Sequence, residues 1–229
     1  MKRGKKYIEA AKKLDRQELH TTEKAVAIVK ELARAKFDET VEVSLKMNLK
    51  KSATVRDTLV LPNQFTSEKK ILVFAKGDKA QEALDSGATY VGDDELIQKI
   101  RDGWLDFDIA VATPDMMKDV GRLGPILGRR GLMPNPKTGT VTFDVKAAID
   151  ELRKGRVEFR SDKTGVVHLA VGKVSMPPEK ITENIASVVA EVERRRPADA
   201  KGAFIKSIAV SSTMGPGVKV ATAAGETGK

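Results

Sequence analysis

The sequence predicts an α+β chain interrupted by a parallel α/β segment, and three observations carry that reading. First, Val41, Val43, Leu45, Met47 and Leu49 alternate with Glu42, Ser44, Lys46, Asn48 and Lys50. Period two over that length is a strand with one buried face and one wet face. Second, from Lys69 onward the apolar residues come instead in short unbroken runs, at 71–74 and 109–112, separated by helical patterns. Strands buried on both faces of a parallel sheet read that way. Third, the alternating style returns beyond Arg160.

Taken in order, Glu9 to Lys13 is a charged helical stretch. Thr21 or Thr22 caps a helix running to about Arg34, with Ala25, Val26, Val29, Leu32 and Ala33 on one stripe. The long alternating strand follows, and a second strand spans about 56–61 and stops at Pro62. The run at 71–74 leads through Lys76-Gly77 into a helix to about Ser86. A weak strand at 89–91 precedes a helix over 93–100, with Asp93 as its cap. The run at 109–112 ends at Thr113-Pro114-Asp115, where a short helix to Val120 begins. The last helix of this segment covers 145–153, with Val145, Ala148, Ile149 and Leu152 on one face and Lys154-Gly155 as its stop. Residues 166–171 form a strand. Pro177-Pro178-Glu179 then opens a helix with the stripe Ile181, Ile185, Val188, Val189 and Val192. Arg194-Arg195-Arg196 sits where the helix dipole favours cations. Residues 204–212 are the final strand, and the tail from Ala221 is small and polar. The flanks thus read α-β-β and β-α-β and, joined, would make an α+β layer.

Composition narrows the function. Lys and Arg number 41 against 32 Asp and Glu, a net charge of +9, which favours a polyanionic partner. With no cysteine, disulfides, thiolate metal sites and cysteine nucleophiles are excluded, in keeping with a reducing cytoplasm. Two histidines, His20 and His168, stand far apart and in no recognisable catalytic motif. No apolar run approaches the roughly 20 residues of a membrane helix, and the basic N-terminus lacks the apolar segment of a signal peptide. No membrane partner is expected. Asp93-Asp94-Glu95 is explained by a cap and an acidic first turn, so no metal or cofactor is expected.

The segment 121–140 is rich in glycine, proline and positive charge, and it reads as a stiff basic loop. From Gly131 it nearly matches a phosphate-binding loop, G-x-x-x-x-G-K-[ST]. Pro136, however, occupies the place of the glycine before Lys137. Proline removes an N–H where a phosphate cradle needs one. The rival reading, a nucleotide-dependent enzyme using the central α/β segment, also lacks G-x-G-x-x-G after its first strand.

Four motifs in order carry a family resemblance: Lys36-Phe37-Asp38-Glu39-Thr40-Val41-Glu42-Val43, the segment 124–140, Ser161-Asp162-Lys163-Thr164-Gly165, and Ser211-Ser212-Thr213-Met214-Gly215-Pro216. Together they resemble the L-one family of large-subunit ribosomal proteins, the family of the mobile side stalk, over nearly the whole chain. The resemblance implies a non-enzymatic cytoplasmic protein of the ribosome, with two domains. Residues 1–66 plus 160–229 would form an RNA-binding α+β domain, a split β-α-β antiparallel sheet with helices on one face. Residues 67–159 would form an inserted Rossmann-like domain with a parallel sheet. The implied partners are large-subunit ribosomal RNA, exit-site tRNA during release of the deacylated tRNA, and the protein's own operon messenger, which it would repress. Three departures from the family pattern stand out. Asn48-Leu49-Lys50-Lys51-Ser52 replaces a segment opening Asp-Pro-Arg, Asp57 replaces a glycine, and Arg129 replaces a proline.

The resemblance places the RNA face on Lys36, Phe37, Thr40, Glu42, Ser211, Thr213, Met214 and Gly215, with Lys163 and His168 as further candidates. Arg122, Arg129, Arg130 and Lys137 would be secondary RNA or tRNA contacts. Aromatic residues make up only 4% of the chain, so base stacking on a platform is not the expected mode. Shape, ribose hydroxyls, phosphates and close backbone approach are. Thr40 and Thr213 can donate and accept to a 2′-OH, and Gly215 would let the main chain lie against RNA.

Overall fold

The computed structural model describes residues 4–15, 17–49, 54–65, 69–197 and 202–222. The sequence departure over 50–52 and the tail from 223 lie outside the described residues. The chain is mixed α/β, with an antiparallel sheet and a parallel sheet. It divides into two compact units, one of residues 1–65 and 158–229 and the other of residues 66–157.

In the first unit, helix α1 (Lys5–Lys12) precedes α2 (Thr22–Leu32). Thr21 caps α2 by accepting the Lys24 N–H at 3.4 Å. Strand β1 (Thr40–Met47) lies between β7 (Val166–Lys173) and β8 (Ile205–Ser212), antiparallel to both. The sheet order is β7-β1-β8-β9, where β9 is Val218–Val220. The chain therefore does not end its strands at Ser212. Three residues are too short for alternation to register, and β9 is fixed by pairing with β8, not by its own pattern.

Burial on this sheet follows the pleat. Val41, Val43, Leu45 and Met47 are buried together with Val167, Leu169, Val171, Ile208 and Val210. Helices α2 and α8 (Pro178–Arg194) pack on each other and on the sheet, and cover that face with Ala25, Val26, Val29, Ile181, Ile185 and Val188. Each large aliphatic side chain buried here contributes about 1.5–3 kcal/mol. The opposite face carries Glu42, Ser44, Lys46, His168, Ala170, Ala209 and Ser211, none of them buried.

The second strand of the N-terminal flank leaves this sheet. β2 (Arg56–Val60) pairs with β6 (Arg156–Arg160), a strand that periodicity did not reveal, in a ribbon of two. Beside it Val55 is tied to Ser161: its N–H donates to Ser161 Oγ at 2.9 Å and its carbonyl accepts the Ser161 N–H at 2.8 Å. Arg56 and Glu158 pair at 2.5 Å. Asp57, unusual by the family pattern, is paired with Arg195 at the end of α8, which gives that acid a structural role. Fully buried Asn184 holds the chain after β2. Its Oδ1 accepts the Asn63 N–H at 3.0 Å, and its Nδ2 donates to Asn63 O at 2.8 Å and Val171 O at 2.7 Å.

In the second unit, β3 (Ile71–Phe74) pairs in parallel with β4 (Tyr90–Gly92) and β5 (Ile109–Ala112). Leu72, Phe74, Ala110 and Ala112 face one apolar cluster, with residues of α4 (Asp94–Arg101), α5 (Met117–Val120) and α6 (Gly124–Arg130). Ile71, Val73 and Val111 face the other cluster, with α3 (Asp78–Asp85) and α7 (Val145–Arg153). Coverage on both faces is why these strands read as unbroken apolar runs. Asp93 stands at the N-cap of α4, but its side chain makes no capping hydrogen bond.

The basic segment is not all loop. Gly124–Arg130 is a helix of two turns, started by Pro125 in its first turn and stopped by Gly131 at φ 71°. Buried Leu123 and Leu127, four residues apart, seat it on the core. Helix propensity argues against so many glycines, and packing of those two leucines overrides it. Among the described residues no helix is long and apolar enough to cross a membrane, and no group of acidic or histidine side chains could hold a metal ion.

Candidate nucleic-acid interface

The predicted residues Lys36, Phe37, Thr40, Glu42, Ser211, Thr213, Met214 and Gly215 gather at one end of the antiparallel sheet and on its uncovered face. Glu42 on β1 lies directly opposite Ser211 on β8, so their side chains share a face. The turn after α2 carries Lys36 and Phe37 to the start of β1, and the turn after β8 carries Thr213, Met214 and Gly215 beside it. Phe37 is 57% exposed and Met214 63% exposed. Their apolar surface is open to a partner, as it is at Leu19, Leu84 and Phe143 elsewhere in the chain, so it is their place on two joined turns that singles them out.

The two turns are laced together. Thr40 N–H donates to Thr213 Oγ1 at 3.0 Å, Thr213 N–H donates to Thr40 O at 3.1 Å, and Thr213 Oγ1 lies 3.3 Å from Thr40 O. Lys173 Nζ donates to Thr40 Oγ1 at 2.8 Å. The Thr213 hydroxyl is thus engaged within the protein, as donor and as acceptor. It fixes the turn, a role that the sequence alone does not announce. Gly215 likewise has an internal reason, because a Cβ there would come within 2.5 Å of Ser212 Oγ.

Sequence reasoning missed Glu39, which lies in the first motif but reads there as one more charge before a strand. It is 2% exposed. Its Oε1 accepts the N–H groups of Arg34 and Ala35, both at 2.8 Å, and its Oε2 accepts the Met214 N–H at 3.0 Å. Burial opposes the charged form. The N–H groups of Ala35, Met214 and Arg34 outweigh it and hold the carboxyl at about 2, below its ordinary 4.5. The buried Ser212 hydroxyl also favours the charge, without meeting strict hydrogen-bond geometry. Because the folded value lies below the unfolded one, Glu39 contributes about 3 kcal/mol of stability above pH 4.5, lost as pH falls through about 2. Acid titration of unfolding should therefore show a stability loss between those values. Glu39→Gln should flatten that limb, and an unchanged limb would count against the assignment.

His168 lies on the edge strand β7, on the uncovered face, its Nδ1 3.0 Å from Ser44 Oγ. Lys163 does not join the cluster. It sits at the tip of the turn 162–165, beyond Lys46, roughly 20 Å along the strand from Thr40. That turn has its own logic. Asp162 accepts from Thr164 N and Val166 N, each at 2.8 Å, and Gly165 adopts φ 77°. The Val166 N–H foremost, with the Thr164 hydroxyl, lowers the Asp162 carboxyl below its ordinary value. The third family motif is thus a turn-forming signature. His20 sits elsewhere, in a bridge with Val220, and shares no site with His168.

In the second unit, Arg122, Arg129 and Arg130 are exposed around α6, with Arg129 and Arg130 in its last turn. The side chain of Lys137 lies outside the described residues. Gly121, Gly124 and Gly128 are helical or turn-helical, and a Cβ at each would meet nothing within 4 Å. Internal packing therefore does not demand glycine there. The segment around Lys137 is a short 3-10 turn closed by Thr138 and Thr140 hydroxyls on Asn135 O, at 3.0 and 3.2 Å. It does not run from a strand into a helix as a phosphate loop does.

The family described as "Ribosomal protein L1p/L10e family" matches residues 29–216. The chain is 63% identical over 226 residues to the large ribosomal subunit protein uL1 of Treponema denticola, covering 99% of this chain and 100% of that protein. It is 63% identical over 219 residues to the protein of the same name from Borreliella burgdorferi, covering 96% of this chain and 97% of that one. The Borrelia hermsii protein of that name is 59% identical, with 96% and 98% covered.

Proposed function

The chain belongs to the ribosomal protein L1p/L10e family, a family of structural and not enzymatic proteins, and from that premise we propose how it works. It is a constituent of the large subunit of the cytoplasmic ribosome. It binds large-subunit ribosomal RNA through the sheet end formed by Lys36, Phe37, Thr40, Glu42, Ser211, Thr213, Met214 and Gly215. The observation that carries this reading is the pair of laced turns that present exposed Phe37 and Met214 beside an uncovered polar sheet face. Glu42 accepts from a 2′-OH or a base amino group there, since a carboxylate repels phosphate. His168 extends the contact along the face, and Lys163 gives at most a long-range electrostatic contribution.

On this reading residues 1–66 plus 160–229 are the RNA-binding domain, and residues 67–159 are an inserted domain with secondary contacts at Arg122, Arg129, Arg130 and Lys137. Support for those contacts is the exposed arginines next to glycines that internal packing does not require. As part of the side stalk, the protein assists release of deacylated tRNA from the exit site. It also represses its own messenger by binding a mimic of the ribosomal site. Both roles rest on the four sequence motifs.

The test is a footprint of the purified protein on large-subunit ribosomal RNA, with affinity measured across salt concentrations. One compact protected region is expected, with log K falling by roughly 0.7–0.9 per phosphate contact for each log of salt. Diffuse protection, or affinity for that RNA no better than for an unrelated RNA of equal length, would remove the proposal.

A further inference from the structure

We infer that Glu39 is the positioning residue of the RNA site, tying the turn that carries Lys36 and Phe37 to the turn that carries Met214 and Gly215. The inference rests on the reading that these two turns bind RNA.

Glu39 is too buried to touch a ligand, so any effect it has on binding must pass through the residues it holds. Its two carboxylate oxygens divide the work. Oε1 takes two successive N–H groups, of Arg34 and Ala35, immediately before Lys36 and Phe37. Oε2 takes the N–H of Met214 itself. A third segment is held by its main chain, whose carbonyl accepts the Val174 N–H at 2.9 Å. Neighbouring Asp38 holds the same segment by accepting from Ser175 N at 3.1 Å and Ser175 Oγ at 2.8 Å. Three turns from three distant parts of the chain therefore meet at Glu39 and Asp38.

The choice of a carboxylate is informative. Among the described residues Glu39 is the one charged side chain that is buried. A buried charge is expensive unless hydrogen bonds hold it, and an apolar residue would fill the same space without that cost. What an apolar residue cannot do is accept three N–H groups from two turns at once. The arrangement is suited to fixing the spacing between the turns, more than to filling the core. Thr40 and Thr213 make a second tie on the exposed side of the same junction, so the turns are held from beneath and from beside.

Glu39→Gln in the full chain tests this. The side chain keeps its shape, but its NH2 must face either the Arg34 and Ala35 N–H pair or the Met214 N–H, donor against donor. Affinity for the ribosomal RNA fragment should fall about tenfold or more. Amide hydrogen exchange should quicken most at Arg34, Ala35 and Met214, well beyond the even loss of protection that lower global stability brings to Val43–Leu45 and Ile208–Val210. A residue that merely supports the fold would quicken all of these amides alike. If Gln prevents folding, Glu39→Asp, which keeps the charge but is one CH2 too short to span both turns, is read in the same way. The paired control is Phe37→Ala with Met214→Ala, at two exposed residues. If the control loses affinity and Glu39→Gln does not, the positioning role is overturned and the RNA site stands. If neither loses affinity, the RNA site itself is elsewhere. Protection lost to the same extent in both strands and at Arg34, Ala35 and Met214 in Glu39→Asp would leave Glu39 with a stabilising role alone and overturn the inference.

Discussion

A DNA copy of the ribosomal RNA site should bind about a hundredfold more weakly than the RNA. The groups available at the sheet end are short and polar: the Thr40 hydroxyl, the Ser211 hydroxyl, the Glu42 carboxylate and the backbone of the 212–215 turn. They suit ribose hydroxyls and the shallow groove of A-form RNA, and they offer little for reading a DNA major groove. Removing the 2′-OH leaves such groups unpaired, at about 1–3 kcal/mol each. Two such losses already account for the hundredfold. Aromatic stacking would have tolerated DNA, but the described exposed aromatic side chains near the site reduce to Phe37. Equal binding by competition titration at one salt concentration would show that phosphates alone hold the complex.

The second large effect is an asymmetry between the two units. A shortened chain joining residues 1–66 to 160–229 by a brief glycine linker should fold. Those flanks form a compact unit of their own, with a four-stranded sheet and α2 and α8 packed against it. It should keep most of the RNA specificity. Within it, Thr213→Ala should cost about 1–3 kcal/mol of binding free energy, because the hydroxyl that fixes the turn to Thr40 is lost. Replacing Arg129 and Arg130 by Ala in the full chain should cost less and act chiefly on the salt dependence. The reverse ranking, with a folded shortened chain that does not bind, would move recognition to the central segment.

Much of the architecture is legible in the residues because the two units solve burial differently. β1 has helices on one face and water on the other, so its sequence alternates, while β3 and β5 are covered on both faces and do not. For that reason the apolar runs 71–74 and 109–112 coincide with β3 and β5 to the residue. The parts that were not legible are those whose cause is tertiary. β9 has three residues and exists by pairing with β8. The segment 124–130 looks unsuited to helix until Leu123 and Leu127 are seen buried. At the proposed site, the motifs bring the 36–42 and 211–215 turns to attention, but not the hydrogen bonds that join them. Thr213 reads as a contact and is first an anchor, and Glu39 reads as surface charge and is buried. A single sequence records which residues are polar. It does not record whether the partner of a polar group is the RNA or the protein's own backbone.

The central claim is that RNA is recognised at the end of the antiparallel sheet by the 36–42 and 211–215 segments. Amide hydrogen exchange of the full chain, with and without the ribosomal RNA fragment at saturating concentration, tests it most directly. The account predicts that protection gained on binding is strongest at residues 36–42 and 211–215, extends weakly along the uncovered face toward His168, and is smaller over 121–140. Strong protection over 121–140, with residues 36–42 and 211–215 unchanged, would contradict it.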